Sequence, residues 1–234
     1  MIFAAGRGER LRPLTDRLPK PLVPVRGKPL IVWHLEKLAA CGVEEVVINT
    51  SWLGEQLPRA LGDGARWGLV LRFLDEGPRP LETGGGLLHA LPVLGRQPFW
   101  LVNGDVFTDF DFCRLPRRPL GLAHLVMVPA AEHAPAGDFH LAADGRLHAE
   151  GEPRLTYAGI GCFDPALLDG WEEVIGTLPE ADRQPPRFRL APLLRAAMRR
   201  GAVTGELHRG AWTDVGTAER LAALEAGDRA GPGG

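Results

Sequence analysis

A short apolar strand that runs straight into a loop of two glycines and three prolines constrains this chain more than any other feature. Ile2-Phe3-Ala4-Ala5 reads as the apolar end of a strand, and Gly6-Arg7-Gly8-Glu9-Arg10 follows at once. Glycine lets the backbone turn sharply and bring N–H groups against an anion with no Cβ in the way. Pro13, Pro19 and Pro21 fix φ over the next stretch, so Arg10 and Lys20 are expected on a stiff loop beside that anion. The combination points to phosphoryl chemistry. Leu11 stands where the dinucleotide fingerprint needs its third small residue, and no GK[ST] follows, so neither that fingerprint nor a P-loop is present. Lys20, Lys28 and Lys37 are the three lysines among 27 basic residues, so a lysine between two prolines stands out against the chain's default arginine.

Beyond this loop, apolar β-branched runs alternate with helical patterns, the arrangement of βαβ units around a mainly parallel sheet. The spacing predicts a helix over 30–40, with Pro29 near its first turn and Gly42 just past its end. A strand over 46–49, a helix over 53–61 interrupted or delayed by Pro58, and a strand over 70–74 come next. Gly84-Gly85-Gly86 is expected to open a helix through Leu91. Residues 98–102 are continuously apolar, as a strand buried on both faces requires, and they deliver Asp105 to the carboxyl end, where open α/β sheets bind ligands. Strands over 122–128 and 155–163, with a hairpin at Asp144-Gly145, predict a mixed sheet carrying an acceptor site. Helices are expected over 188–200 and over 218–226, the latter with Thr217 as N-cap. Residues 177–187 read as a mobile surface loop and 227–234 as a disordered tail, leaving 1–226 as a single domain.

With 45% hydrophobic residues in 234, the chain can bury a real core. A net charge of −2 with arginines scattered throughout gives no basic face, which argues against nucleic acid as a partner. Cys41, Cys113 and Cys162 are odd in number and lack metal spacing, so they are expected as reduced thiols in a cytoplasmic protein. Neither a membrane span nor a secretion signal is legible, and no membrane partner is expected. The seven histidines show no zinc-like pairing and read as surface or packing residues. The oligomeric state stays open, a monomer being compatible.

Asp105 and Asp214, the latter in Trp212-Thr213-Asp214-Val215-Gly216, are the candidate ligands of a hard cation such as Mg²⁺, which takes carboxylate and phosphate oxygens. Leu81-Glu82-Thr83-Gly84-Gly85-Gly86 offers a hydroxyl and bare backbone at a helix start, a place suited to a base edge or a ribose. Three glycines there cost about 1 kcal/mol each relative to alanine, so a close approach explains them better than tolerance does.

The stretch AAGRGERLRPLTDRLPKPLVPV resembles the signature of the sugar-1-phosphate nucleotidyltransferases, roughly AAGxGxRLxPLTxxxPKPLxPV. The likeness continues through Leu81 to Gly86, Val102-Asn103-Gly104-Asp105, Ala158-Gly159-Ile160 and Trp212 to Thr217, nearly the whole chain. It implies a Rossmann-like, mixed but mainly parallel sheet flanked by helices, of the nucleotide-diphospho-sugar transferase type. It further implies that Ala4, Ala5, Gly6 and Gly8 wrap a triphosphate, with Arg10 and Lys20 catalytic and Asp105 and Asp214 holding Mg²⁺. Glu82, Thr83 and Gly84 would face the base. Asn103, Gly137, Asp138, Glu152 and Gly159 would meet the sugar phosphate. The Glu-Thr-Gly-Gly-Gly form is similar to the uridylyl enzymes rather than the guanylyl ones, so UTP is the expected nucleotide. The favoured acceptor is N-acetylmuramic acid 1-phosphate, in cell-wall sugar recycling; a guanylyl or thymidylyl enzyme, or a non-catalytic sugar-nucleotide-binding regulator, are the alternatives. Many relatives carry Glu-Lys-Pro at the sugar phosphate, whereas this chain has Gly151-Glu152-Pro153-Arg154, which leaves Arg154 as the substitute for the missing lysine.

Overall fold

The computed structural model describes residues 1–130, 135–176 and 185–227. Its strands are β1 (Ile2–Phe3), β2 (Pro24–Val25), β3 (Lys28–Pro29), β4 (Glu45–Thr50), β5 (Val70–Asp75), β6 (Phe99–Asn103), β7 (Val106–Thr108), β8 (Ala123–Val128), β9 (Phe139–Leu141), β10 (Leu147–His148), β11 (Arg154–Phe163), β12 (Val203–Leu207) and β13 (Trp212–Asp214). The helices are α1 (Leu30–Ala40), α2 (Gln56–Leu61), α3 (Glu82–Leu94), α4 (Trp171–Ile175), α5 (Ala191–Arg199) and α6 (Ala218–Gly227). The architecture is the expected α/β one, a mixed, mainly parallel sheet with flanking helices. The chain divides into two compact units. The first comprises Ile2–Arg79, Asn103–Phe112 and Ala211–Gly234, and the second Met1, Pro80–Val102 and Cys113–Gly210.

In the first unit β1 pairs with β4 and β4 with β5, all parallel, with Ile2 opposite Ile48 and Ile48 opposite Phe73. Residues 46–50 of β4 are all buried, which is why Val-Val-Ile runs without alternation. α1 buries Leu30, Ile31, Leu35 and Leu38, and it stops where Gly42 takes φ 73 and donates its N–H to Ala39 O. β7 and β13 form an antiparallel pair in which Val106 stands opposite Asp214. Leu11, Val25, Leu30, Phe107 and Val215 make a buried cluster, and Trp33 of α1 with Leu221 and Leu224 of α6 pack on it. That cluster ties the glycine loop, β7 and the last helix to one core.

In the second unit β11 runs antiparallel to β6, β8 and β9, and β12 is parallel to β8. The β9–β10 hairpin closes with Leu141 opposite Leu147, at the Asp144-Gly145 turn read from the sequence. A register shift in β11 falls between Tyr157 and Gly161, where Gly159 has φ 72.

Some expectations need adjusting. α2 begins at Gln56, after turns in which Leu53 takes φ 53. α3 starts at Glu82, before the glycines, and continues through Pro92 to Leu94. α5 starts at Ala191 rather than 188, because the backbone of Phe188 is hydrogen-bonded to Leu81, Gly84 and Gly85 at the start of α3. Cys41 and Cys113 are each in a disulfide, which corrects the reading of three reduced thiols; only Cys162 is free and buried. Two cysteines far apart in sequence carry no spacing signal. Residues 177–184 of the expected loop and 228–234 of the expected tail lie outside the described residues. Among the described residues no helix is long and apolar enough to cross a membrane.

Candidate active site

The first unit gathers the predicted phosphate and metal residues. Ala4 and Ala5 are buried at the end of β1, and Ala4 N–H donates to Asn49 Oδ1 at 2.7 Å. Asn49 Nδ2 in turn donates to the buried Glu76 at 2.7 Å, so the first residue of the loop is fixed by a side-chain chain from β4. A Cβ on Gly6 would meet nothing within 4 Å, which leaves open space above that backbone. Gly8 takes φ 68, and a Cβ there would press on Thr15 Cγ2 at 3.0 Å and Lys20 Cβ at 3.2 Å. Thr15 Oγ1 donates to Gly8 O at 2.8 Å, and Trp52 Nε1 to Thr15 O at 2.9 Å. Arg7 lies over the Trp52 ring at 4.4 Å. The loop is therefore braced along its length, as the prolines led us to expect.

Lys20 is only 8% exposed, and its Nζ donates to Asp105 Oδ2 at 2.6 Å. Asp105 precedes β7, and its carbonyl accepts from Val215 N–H at 2.7 Å. The β7–β13 register, with Asp214 opposite Val106, thus sets Asp105, in the turn just before β7, next to the end of the strand that carries Asp214. Asp214 is in an ion pair with Arg220 of α6, both side chains about one-fifth exposed. Around Gly216 three groups crowd together: a Cβ there would stand 2.9 Å from Asp214 Oδ2, 2.9 Å from Arg220 Nη1 and 3.1 Å from Arg10 Nη2. Asn103 sits at the end of β6, two residues before Asp105. His34, on α1, is fully buried and stacks on Phe112 at 5.9 Å between ring centroids. Burial, with Lys37 nearby, lowers its pKa to about 4, so it is a neutral packing residue.

The second unit carries the expected base and sugar residues. Glu82 opens α3 with φ 64 and is held by Arg187 at 3.0 Å and Arg189 at 3.7 Å. Such a left-handed non-glycine residue at a helix start is the kind of strain found at functional segments. Thr83 Oγ1 accepts from Leu190 N–H at 2.9 Å, and the N–H groups of Gly84 and Gly85 both donate to Phe188 O. A Cβ on Gly84 would lie 2.4 Å from Phe188 Cε2, and one on Gly85 2.2 Å from Pro186 O. The close approach that explains these two glycines is thus to the chain's own 186–189 segment. Gly137 takes φ 59 against Arg154, and Asp138 Oδ2 accepts from Tyr157 N–H at 2.9 Å. Arg154 Nη2 donates to Asp138 O at 2.5 Å, while Arg154 Nε and Tyr157 Oη are buried with no hydrogen-bond partner among the described residues. Glu152, exposed, accepts from Arg154 N–H at 3.2 Å, and Gly159 is buried in the β11 irregularity.

Sequence reasoning passed over Asn49, Glu76, Gly216 and Arg220. Asn49 is a buried amide that follows the apolar Val46-Val47-Ile48 of β4, a signal that was there to be read. Arg220 was one arginine among many.

Two carboxylates, Asp105 in the turn before β7 and Asp214 on β13, suit a hard cation, each balanced by a cationic side chain, and the missing Cβ of Gly216 keeps the space beside Asp214 clear. These residues fit a divalent cation.

Comparisons with known proteins give the family. Residues 1–139 match the family model described as nucleotidyl transferase. An N-acetylmuramate alpha-1-phosphate uridylyltransferase of Neisseria meningitidis serogroup B is 46% identical, covering 97% of this chain and 96% of that one. A protein of the same description from Caulobacter vibrioides is 32% identical, covering 97% and 95%. A Bacillus anthracis structure described as a glucose-1-phosphate thymidylyltransferase superposes with a TM-score of 0.80 at 20% identity, over 100% of this chain and 96% of that one, and so shares the fold. With a family model over more than half its length and near-full-length relatives, this chain belongs to the nucleotidyl transferase family.

Proposed function

We propose that this protein transfers the uridylyl group of UTP to N-acetylmuramic acid 1-phosphate, giving the UDP-sugar and pyrophosphate. The observation that carries the chemistry is the pairing of each candidate metal carboxylate with a cation in one unit, Lys20 with Asp105 and Arg220 with Asp214. The choice of nucleotide and sugar rests on the near-full-length likeness to the two uridylyltransferases and on the Glu82-Thr83-Gly84 segment.

Transfer between phosphates asks for alignment and charge neutralisation rather than covalent help. The backbone of Ala4 to Gly8 cradles the triphosphate, with the open space over Gly6 as its path of approach. Arg10 and Lys20 draw charge from the departing pyrophosphate, and the buried stem of Lys20 holds its ammonium in register. Asp105 and Asp214 hold Mg²⁺, which when bound neutralises the phosphates. Glu82 and Thr83 form the base-facing edge, and Gly84 packs behind them against Phe188. Asn103, Gly137, Asp138, Glu152 and Gly159 place the sugar, and the buried Nε of Arg154 offers a donor where relatives use lysine. Residues 1–226 act as one nucleotidyltransferase domain on small molecules, in cell-wall sugar recycling. The disulfide removes the thiol argument for a cytoplasmic location, which then rests on the substrates, UTP and a sugar phosphate.

The test is pyrophosphate release with Mg²⁺, crossing UTP, GTP, CTP, ATP and dTTP against MurNAc, GlcNAc, glucose, mannose and heptose 1-phosphates. Turnover confined to UTP with MurNAc 1-phosphate is the expected outcome. Another productive pair overturns the substrates and keeps the chemistry, and silence across the grid with UTP still binding overturns the enzyme reading of this chain. Asp105→Ala should abolish turnover with the fold intact, and an active Asp105→Ala protein would refute the metal assignment.

A further inference from the structure

The mechanism above gives Arg220 no step of its own beyond its pairing with Asp214, one of the two candidate metal carboxylates. Its backbone is fixed: the N–H donates to Thr217 Oγ1 at 3.4 Å, and the next residues inward on α6, Leu221 and Leu224, pack on the buried cluster of Leu11, Val25, Leu30, Phe107 and Val215. Its side chain reaches back to Asp214 and lies by Gly216, where the Arg10 guanidinium also arrives. Two guanidinium groups, of Arg10 and Arg220, converge here beside the Asp214 carboxylate, with Glu219 also acting on Arg220. Like charges at this range repel, so a guanidinium that lost Asp214 would be driven toward any anion brought in beside Arg10. Arg220 is thus arranged like Lys20, a cation parked on a carboxylate in the absence of ligand.

We propose that Arg220 is a positioning residue that occupies Asp214 in the metal-free protein and releases it to a divalent cation when a polyphosphate offers its guanidinium a new partner. The inference rests on Asp214 as a metal ligand. A metal ion arriving alone must displace the guanidinium from Asp214, and gains no compensation for it. An ion arriving with a triphosphate lets Arg220 exchange one anionic partner for another, so metal and nucleotide assist each other's binding, reciprocally. The protein would then bind free divalent cations weakly and reserve the site for the metal–nucleotide pair.

The test is Mn²⁺ binding without nucleotide, read from the electron paramagnetic resonance signal of free Mn²⁺, on the wild type and on Arg220→Gln, Arg220→Lys and Asp214→Asn. Thermal unfolding of each variant checks its fold. Arg220→Gln should bind Mn²⁺ up to about fivefold more tightly than the wild type, the factor expected from removing one partly exposed ion-pair competitor. Arg220→Lys, which keeps the charge and loses the planar fork, should fall between the two, and carries the test if the glutamine variant does not fold. Asp214→Asn should bind Mn²⁺ far more weakly. Unchanged or weaker Mn²⁺ binding in both Arg220 variants, with binding lost in Asp214→Asn, would overturn the role of Arg220 and leave the metal assignment standing. Wild-type Mn²⁺ affinity in Asp214→Asn would overturn the metal assignment and this inference with it.

Discussion

At Gly8 the backbone has φ 68, and the positions a Cβ would contact belong to Thr15 and Lys20. Alanine there pays for a left-handed conformation and also pushes on the stem of the lysine that reaches Asp105. Gly8→Ala is expected to lose about 1–2 kcal/mol in urea unfolding, from backbone strain alone. It should also lower kcat, whereas a purely structural glycine would leave the turnover of the folded fraction untouched. Lys20 acts on charge that develops in the reaction, so Lys20→Ala should reduce kcat by about 10²–10³, the usual loss for one preorganised electrostatic group. If steady-state kinetics instead show a raised sugar-phosphate KM with kcat unchanged, the lysine serves the other substrate. These two changes separate the support of the loop from the chemistry it presents.

Elements differ in how much of themselves they write into the sequence. α1 is legible to the residue, since its buried face, Pro29 and Gly42 are local signals that agree with one another. The glycine loop is legible as a site because Pro13, Pro19 and Pro21 are local too. The start of α3 misleads for the opposite reason: its three glycines look like a ligand cradle, but Gly84 and Gly85 face Phe188 and Pro186, far along the chain. The Asn49–Glu76 link is hidden on the same ground, although Asn49 itself stands out after Val46-Val47-Ile48, and the Asp214–Arg220 pair is hidden because no local signal shows that the turn from β13 into α6 brings the two side chains together. Gly84→Ala therefore tests packing rather than binding. With a Cβ 2.4 Å from Phe188 Cε2, it should destabilise the protein by about 1–3 kcal/mol, as overpacking does. Differential scanning calorimetry should show the lower Tm in the absence of any nucleotide; an unchanged Tm with weakened UTP binding would return this glycine to the ligand.

For the molecule as a whole, stability is set partly by groups that fold only when uncharged. His34 is buried in α1 against Phe112, with Lys37 opposing its protonation and Asp105 favouring it, and burial dominates. Its pKa falls from 6.5 to about 4 on folding. Between those values the unfolded chain binds a proton that the folded chain refuses, so stability is full above pH 6.5 and drains away as the pH falls toward 4. At pH 4.5 the loss from this one residue is of order 2 kcal/mol, because each tenfold weakening of proton affinity on folding is worth about 1.4 kcal/mol. Other groups also take up protons in acid, so the His34 share has to be read by difference. Urea unfolding of the wild type and of His34→Leu at pH 7.5, 6.5, 5.5 and 4.5 supplies that difference. The variant should lose less stability than the wild type below pH 6.5 and run parallel to it above. Parallel curves throughout would mean that His34 takes up its proton in the folded state as readily as in the unfolded chain, and that its burial costs the protein nothing in acid.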